Sequence, residues 1–296
     1  MLATLGRVRE LERFLTSLEA QAYERLRLLV VDQNPDDRLD EVVARHGELD
    51  LVHLRSGPGL SRARNRALAE LARDLVAFPD DDCVYPPELL ERVARRFAEE
   101  PSLDGLTGRA VDRDGRSEAT WKRDAARLTD TNLWNRAISY TIFLQREVVA
   151  RVGPFDEQLG LGSGNLWSSG EEIDYLVRAI RAGARIEYDP SLTVIHEQPL
   201  LSPSELQARG YRNGASLGYV LREHRHPKGE VARRLVRPIA GVLLSFVRLD
   251  FAQARFHVAN LRGRIAGYLR LGQRRRVEQE PTEESAVQAS DPDDLT

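Results

Sequence analysis

Short apolar runs that alternate with amphipathic segments are the feature that most limits how this chain can fold. The runs lie at residues 26–32, 49–54 and 74–79 and are rich in Leu and Val. Residues 7–21 and 38–46 instead carry apolar side chains at three- or four-residue spacing, which predicts helices. Strands buried on both faces are nearly continuous in apolar residues, so the pattern predicts an α/β fold with a mixed, mainly parallel sheet flanked by helices.

Carboxylates follow two of the predicted strands. Asp32 ends the first run, and Asp80, Asp81 and Asp82 follow the third. Ligands of parallel α/β sheets bind at the carboxyl ends of strands, and Mg²⁺ and Mn²⁺ prefer oxygen ligands. One aspartate of the triplet can bind such a metal while another accepts a hydrogen bond from a ribose hydroxyl. The alternative is a solvated acidic turn or a helix N-cap ahead of Pro86.

Beyond the triplet the pattern is less regular. Residues 105–111 and 139–145 are predicted strands, a helix is predicted at 170–182, and two short strands around a turn are predicted within 184–196. From residue 202 to about residue 270 the pattern is helical. We therefore divide the chain into a domain at 1–200, a helical extension at 201–276 and a disordered acidic tail at 277–296.

Composition restricts the partners and the cellular compartment. The net charge of −3 gives no reason to expect nucleic acid. Cys83 is the only cysteine, which excludes an intrachain disulfide and suits a reducing cytoplasm. The apolar stretch at 238–247 is about half the ~20 residues that a membrane-spanning helix needs. Only about four residues precede the first turn, where a strand of roughly five is expected, so we expect further residues upstream.

Several motifs, in order, resemble those of the family 2 glycosyltransferases of bacteria, which have the GT-A fold. The resemblance covers residues 1–196 and rests on these segments: ATLGR at 3–7, VVDQNPDD at 30–37, GLSRARNRAL at 59–68, FPDDDC at 78–83, GPFDE at 153–157, GEEIDYLVRA at 170–179 and TVIH at 193–196. The family resemblance implies an inverting transfer of a sugar from a nucleotide diphosphate to an acceptor hydroxyl. It also implies dependence on Mg²⁺ or Mn²⁺.

The resemblance assigns roles to individual residues. Those that match positions for binding the UDP-, GDP- or dTDP-sugar are Asp32, Arg64, Asp80 and Asp81, with Arg62 as a substitute for Arg64. Asp82 and His196 match the metal ligands. A divalent cation there would stabilise the charge of the leaving nucleotide diphosphate.

An inverting transfer also needs one general base for the acceptor hydroxyl. Glu172 matches the family's base, which is an aspartate in the family motif, so Glu171 and Asp174 stay open as alternatives. Asp156 and Trp167 are candidates for binding the acceptor. For both residues a structural role, in a turn or in packing, is the alternative.

Two other functions compete with sugar transfer. A sugar-phosphate nucleotidyltransferase has a related sheet, but it needs a Gly-rich loop that ATLGRVRE matches poorly. A non-catalytic sugar-nucleotide-binding protein of a membrane assembly would have lost the aspartates or the base, and both are present.

The helical extension suggests a further partner. Arginines and apolar residues mix along residues 234–276, which suits helices lying on the inner face of the cell membrane, next to a lipid-linked sugar acceptor. The alternatives are that these helices cover the catalytic domain or form a homodimer contact.

Overall fold

The computed structural model describes residues 1–117, 120–197 and 201–271, and it confirms the α/β fold. The strands are β1 (Leu2–Thr4), β2 (Leu28–Asp32), β3 (Leu51–Arg55), β4 (Leu75–Ala77), β5 (Cys83–Val84), β6 (Gly105–Val111), β7 (Ala126–Arg127), β8 (Ile142–Gln145) and β9 (Ile186–His196). The helices are α1 (Val8–Glu19), α2 (Asp40–Arg45), α3 (Leu60–Leu68), α4 (Leu89–Glu99), α5 (Arg146–Val152), α6 (Glu171–Arg181), α7 (Pro203–Glu223), α8 (Lys228–Val247) and α9 (Phe251–Tyr268).

The strands form two sheets that meet at β1. Strands β1, β2 and β3 pair in parallel, in that order. The second sheet has the order β4-β8-β6-β9-β5, with β6 and β9 parallel and β7 paired to β9. A parallel bridge between Ala3 and Asp80 joins the two sheets. This junction brings the end of β1 next to the predicted aspartate triplet.

Apolar side chains cover both faces of the sheets. In β2, Leu29 and Val31 point into a core that includes residues of α3, α5 and α6. The alternating residues Leu28 and Val30 point into a second core with α1 and α4. Burial on both faces explains why the strand sequence is continuously apolar rather than alternating.

The last strand differs from its prediction. Residues 184–196 were expected to form two short strands around a turn, but β9 is one strand with a bulge where the turn was expected. Thr107 pairs with Tyr188 and Arg109 with Thr193, so residues 189–192 lie opposite Gly108 alone. A Cβ at Gly108 would lie 2.3 Å from the Leu192 carbonyl oxygen, so only glycine fits beneath the bulge. The predicted strand at 139–145 also begins later, because residues 139–141 form a 3-10 turn.

The helical extension is present as α7, α8 and α9. Among the residues that the structure describes, no helix is long and apolar enough to cross a membrane. The predicted acidic tail at 277–296 lies outside the described residues. The division into domains at residue 200 stays a prediction.

Helices α7 and α9 are parallel and contact each other through glycines. A Cβ at Gly214 would lie 2.2 Å from the Asn260 carbonyl oxygen, and one at Gly267 would lie 1.9 Å from the Ala215 carbonyl oxygen. Glycines four residues apart allow two backbones to approach closely, as in tightly packed membrane helices. The contact is therefore one of backbone on backbone, and it fixes the register of the two helices.

We expect Gly267→Ala to lower the free energy of unfolding by about 3 kcal/mol, because the new methyl group must push the two helices apart. Gly229→Ala is the matched control. Apart from its neighbours along the same helix, no heavy atom lies within 4 Å of the Cβ that this substitution adds. That control should change stability by less than about 1 kcal/mol. Urea unfolding measures both, and equal effects would contradict the role of the glycine contact.

Candidate active site

The aspartate triplet lies where β1 and β4 end, and each aspartate has different partners. Asp81 is buried, accepts hydrogen bonds from Thr4 Oγ1 at 2.6 Å and Arg7 Nη1 at 2.8 Å, and thereby faces β1. Burial raises the pKa of Asp81, although Thr4 and Arg7 both bind its charged form. Asp81 therefore anchors the triplet to the first strand and to the turn that follows it.

Asp82 and His196 come together, as the prediction of a metal site requires. His196 ends β9, its Nε2 lies 3.2 Å from Asp82 Oδ1, and its ring stacks on Tyr140. Arg7 also contacts Asp82. Burial alone would raise the pKa of Asp82, but the hydrogen bond and charge of His196, together with Arg7, lower it. Burial alone would lower the pKa of His196, and the Asp82 carboxylate raises it.

Asp80 faces the opposite side of the triplet. It accepts hydrogen bonds from the Ser139 hydroxyl at 3.1 Å and from Arg64 Nη2 at 3.4 Å. Burial raises the pKa of Asp80 to about 6, with help from the carboxylates of Asp82 and Glu171, although Arg64 opposes the rise. Asp80 thus stands between the metal-ligand candidates and the helix that carries the candidate bases.

Arg64 connects that helix to the triplet. Its side chain is only 2% exposed, and its guanidinium donates to Glu171 Oε1 at 2.9 Å and lies over the Phe155 ring. Arg64 was predicted to contact the nucleotide sugar directly. In the structure its guanidinium is instead enclosed and paired with the carboxylates of Asp80 and Glu171. Arg62, the predicted substitute, is exposed and lies 3.4 Å from Glu157.

Glu171 and Glu172 begin α6, directly after Gly170, whose φ of 88° is left-handed. Glu171 is buried against Arg64, whereas Glu172 is half-buried and lies beside Arg64, Phe78 and Phe155. Burial and the neighbouring Glu171 carboxylate raise the pKa of Glu172 to about 8. A carboxylate with a raised pKa at a helix start is suited to accept a proton near neutral pH.

Asp174, the third candidate base, has other partners. Its carboxylate binds Arg178 at 2.9 Å and His224 Nε2 at 2.8 Å, and His224 follows α7. Asp174 is buried in this pairing. The structure therefore places it in the contact between α6 and α7 and not with Arg64 and Asp80.

The two acceptor candidates also lie against α7. Trp167 is completely buried and stacks on Tyr219 at a centroid distance of 4.7 Å, so it offers no ring face to a sugar. This corrects the hypothesis of sugar stacking and supports the packing role. Asp156 accepts hydrogen bonds from Tyr219 Oη at 3.1 Å and from the Gln158 backbone, as a turn residue does.

Asp32 is completely buried at the end of β2. Its carboxylate accepts hydrogen bonds from the backbone and side chain of Asn34, and it lies 3.2 Å from both His53 and Arg55. Asn34 in turn accepts a hydrogen bond from the Gly6 backbone. In this arrangement Asp32 holds the loop edge between β1, β2 and β3 in place, and its predicted contact with the nucleotide stays a prediction.

Sequence reasoning missed three contacts of the triplet, those from Thr4, Arg7 and Ser139. Arg7 and Thr4 belong to the ATLGR segment, so the resemblance marked their region without giving them a role. No sequence motif pointed to Ser139 as a partner of Asp80, because it lies in a 3-10 turn that is far from Asp80 along the chain.

The residues fit a divalent cation only in combination with other ligands. Within the described part of the chain, no group of three His, Cys, Asp or Glu side chains is placed to hold a metal ion. Asp82 and His196 provide one carboxylate and one imidazole. Mg²⁺ and related ions commonly use one or two protein carboxylates and complete their shell with phosphate oxygens and water, so this pair fits such a site.

The fold is that of the GT-A glycosyltransferases. The mannosyltransferase PcManGT from Pyrobaculum calidifontis, solved with GDP-Man and Mn²⁺, superposes with a TM-score of 0.64 at 15% identity. That match covers 91% of this chain and 86% of the other. S. aureus TarS 1–349, solved with UDP-GlcNAc, gives a TM-score of 0.55 at 18% identity and covers 93% of this chain and 92% of its own.

Sequence comparison gives the family. The model of glycosyl transferase family 2 matches residues 2–153, so the chain belongs to that family. A curated relative, the pre-mycofactocin glycosyltransferase of Mycobacterium tuberculosis, is 27% identical in an alignment of 230 residues that covers 73% of this chain. The match covers 45% of the relative, so the chain spans about half the length of this curated protein.

We expect the buried pair of Arg64 and Glu171 to be strongly coupled. Arg64→Met should lower the free energy of unfolding by about 3 to 5 kcal/mol, because it leaves a buried carboxylate unpaired, and adding Glu171→Gln should restore part of that loss. The exposed pair of Arg66, on the same helix, and Glu70, just after that helix ends, is the control and should couple by less than about 1 kcal/mol. Double-mutant cycles in urea measure both, and equal coupling energies would contradict this assignment.

Proposed function

We propose that this chain transfers a sugar from a nucleotide diphosphate to an acceptor hydroxyl, with inversion and with the help of a divalent cation. One observation carries the proposal. Arg64 holds Asp80 and Glu171 together, so the aspartate triplet, which includes the metal-ligand candidate Asp82, lies beside the start of α6, which carries the candidate bases Glu171 and Glu172. Inverting transfer needs these two functions on opposite sides of the reacting sugar.

In this proposal the donor lies across the ends of β1, β2 and β4. Asp82 and His196 would hold a divalent cation, Mg²⁺ or Mn²⁺, which would stabilise the charge of the leaving nucleoside diphosphate. Arg7 is about half exposed, so its guanidinium can move from Asp82 to the diphosphate. Asp80 and Ser139 would position the donor sugar or ribose. Asp32 would hold the loop edge that surrounds the nucleobase of the donor.

The donor's nucleotide stays open between UDP, GDP and dTDP. PcManGT was solved with GDP-Man and TarS with UDP-GlcNAc, so the same fold accommodates different nucleotides. The acceptor is a sugar or a lipid-linked sugar in the synthesis of a cell-surface polysaccharide or glycolipid.

Glu172 is the proposed base. It is half-buried, whereas Glu171 is bonded to Arg64 and Asp174 to Arg178 and His224. The raised pKa of Glu172 makes it a stronger base than an ordinary carboxylate. Once deprotonated, it would accept the proton of the acceptor hydroxyl as that oxygen attacks the sugar.

The first test is a donor screen in Mg²⁺ or Mn²⁺ that follows release of nucleoside diphosphate. We expect release with one class of sugar nucleotide and its loss in excess EDTA, with recovery when metal is restored. Asp82→Asn should lower kcat by on the order of 10²-fold or more, because the leaving group loses its stabilisation.

Asp50→Asn is the control for this variant, because Asp50 lies in an exposed ion pair with Arg27 away from the triplet. It should leave turnover unchanged. Full activity in EDTA would reject the role of the metal. Formation of pyrophosphate from a nucleoside triphosphate and a sugar phosphate would favour a nucleotidyltransferase instead.

The second test concerns the base. Glu172→Gln should lower kcat by on the order of 10²-fold or more and leave the donor's KM nearly unchanged, because donor binding does not use this side chain. In the unmodified chain, kcat should rise with pH through about 8 as Glu172 loses its proton. A pH-independent kcat would contradict the assignment, and a dead Glu171→Gln beside an active Glu172→Gln would move the base to Glu171.

Stability gives an independent readout of the same carboxyl group. Its pKa in the folded chain, about 8, lies above its ordinary value of 4.5, so the folded state favours the protonated form. The stabilisation is complete below about pH 4.5 and is lost as pH rises through about 8. Glu172→Gln should remove this slope from the unfolding free energy without needing any substrate.

A further inference from the structure

The end of the hairpin formed by α8 and α9 presents a continuous apolar surface. Leu243 is 65% exposed, Val247 82% and Leu249 75%. Phe246 and Phe251 pack edge to face at a centroid distance of 6.2 Å, which joins the two helices into one surface. We define the hairpin tip as the exposed residues Leu243, Leu244, Phe246, Val247, Leu249 and Phe251. Contiguous exposed apolar surface of this kind marks a binding site more often than a free surface.

The charge around the hairpin tip is positive. Arg248 lies within the tip, and Arg237 and Arg255 are exposed on the adjoining turns of α8 and α9. Asp250 is the only acidic residue between positions 231 and 271 of the sequence, and its carboxylate caps α9 by accepting from the Gln253 backbone. The chain as a whole has a net charge of −3, so this local positive charge is not a general property of its surface.

We propose that the hairpin tip binds the surface of an anionic lipid bilayer. Apolar side chains would enter the boundary between head groups and acyl chains, and the arginines would contact the anionic head groups. A second copy of the chain is a poorer partner, because two such tips would bring like-charged arginines together. An uncharged apolar partner would leave the arginines without counter-charges.

The position of the tip relates it to the candidate active site. Gly210 of α7 lies against Phe256 of α9 in the parallel glycine contact, so the tip is level with the first turns of α7. Ser202, the N-cap of α7, follows His196 by six residues, which span at most about 20 Å. The start of α7, which is level with the tip, therefore lies at most about 20 Å from His196. Binding to a bilayer does not depend on the proposed sugar transfer, whereas delivery of a lipid-linked acceptor rests on that proposed function.

Vesicle flotation with the full chain tests the proposal. At low salt the chain should float with vesicles of phosphatidylcholine and phosphatidylglycerol in equal amounts, and not with phosphatidylcholine alone. High salt should weaken binding, because the arginine contacts are screened. The double variant Leu243→Asp with Val247→Asp should bind on the order of tenfold less or weaker still, since it removes apolar contact and adds negative charge.

The matched control is Ala232→Asp with Leu269→Asp, which adds the same charge at exposed positions at the other end of the hairpin. It should bind anionic vesicles nearly as well as the unmodified chain. Urea unfolding of both double variants checks that each remains folded.

Failure of the full chain to float with anionic vesicles at low salt overturns the proposal. Equal loss of binding in the control overturns the assignment to the tip. A dimer seen by light scattering, lost only in the tip variant and without vesicle binding, shows that a second copy occupies the surface. Flotation does not use turnover, so its outcome is independent of the sugar-transfer assay.

Discussion

The buried ion pair between Arg64 and Glu171 is the interaction on which the candidate site depends. It joins α3 to the first turn of α6, and through Asp80 it reaches the end of β4. A guanidinium enclosed to this degree is costly to remove from water, and it persists only if its partners keep their geometry. The positions of the Asp80 and Glu171 carboxylates are therefore not independent, because the Arg64 side chain holds both.

This arrangement gives the two neighbouring glutamates of α6 different environments. Glu171 neutralises Arg64, and its negative charge is one of the causes that raise the pKa of Glu172. One residue therefore maintains the structure while the next acquires an unusual affinity for a proton. The helix start after Gly170 makes this possible, because consecutive residues in the first turn point in different directions.

Much of the fold was predictable from residue pattern. The strands β2, β3 and β4 follow from apolar runs, and α1, α2 and α6 from helical patterns, because burial on two faces or along one stripe leaves a periodic trace in the sequence. The bulge of β9 left no such trace, since it depends on Gly108 of a different strand. The glycines of α7 and α9 are visible in the sequence, but which helix they face is decided by the fold.

The sequence predicted which residues lie near the candidate site better than it predicted what those residues contact. Asp82 and His196 come together as expected, whereas Arg64 is enclosed and Trp167 stacks on Tyr219. Motifs identify which residue types stand near the ends of strands. Whether a side chain faces solvent or a partner more than a hundred positions away, as Arg64 faces Glu171, depends on packing that one short segment cannot contain.

The backbone contact between α7 and α9 couples the two helices rigidly. Because Gly214 and Gly267 leave no compliant side chain between the two helices, a tilt of α9 must carry α7 with it. Helix α7 in turn packs Ser216 and Val220 against Gly170, immediately before the two glutamates. A displacement of α9 would therefore also shift the backbone at Gly170, next to the carboxylates of Glu171 and Glu172.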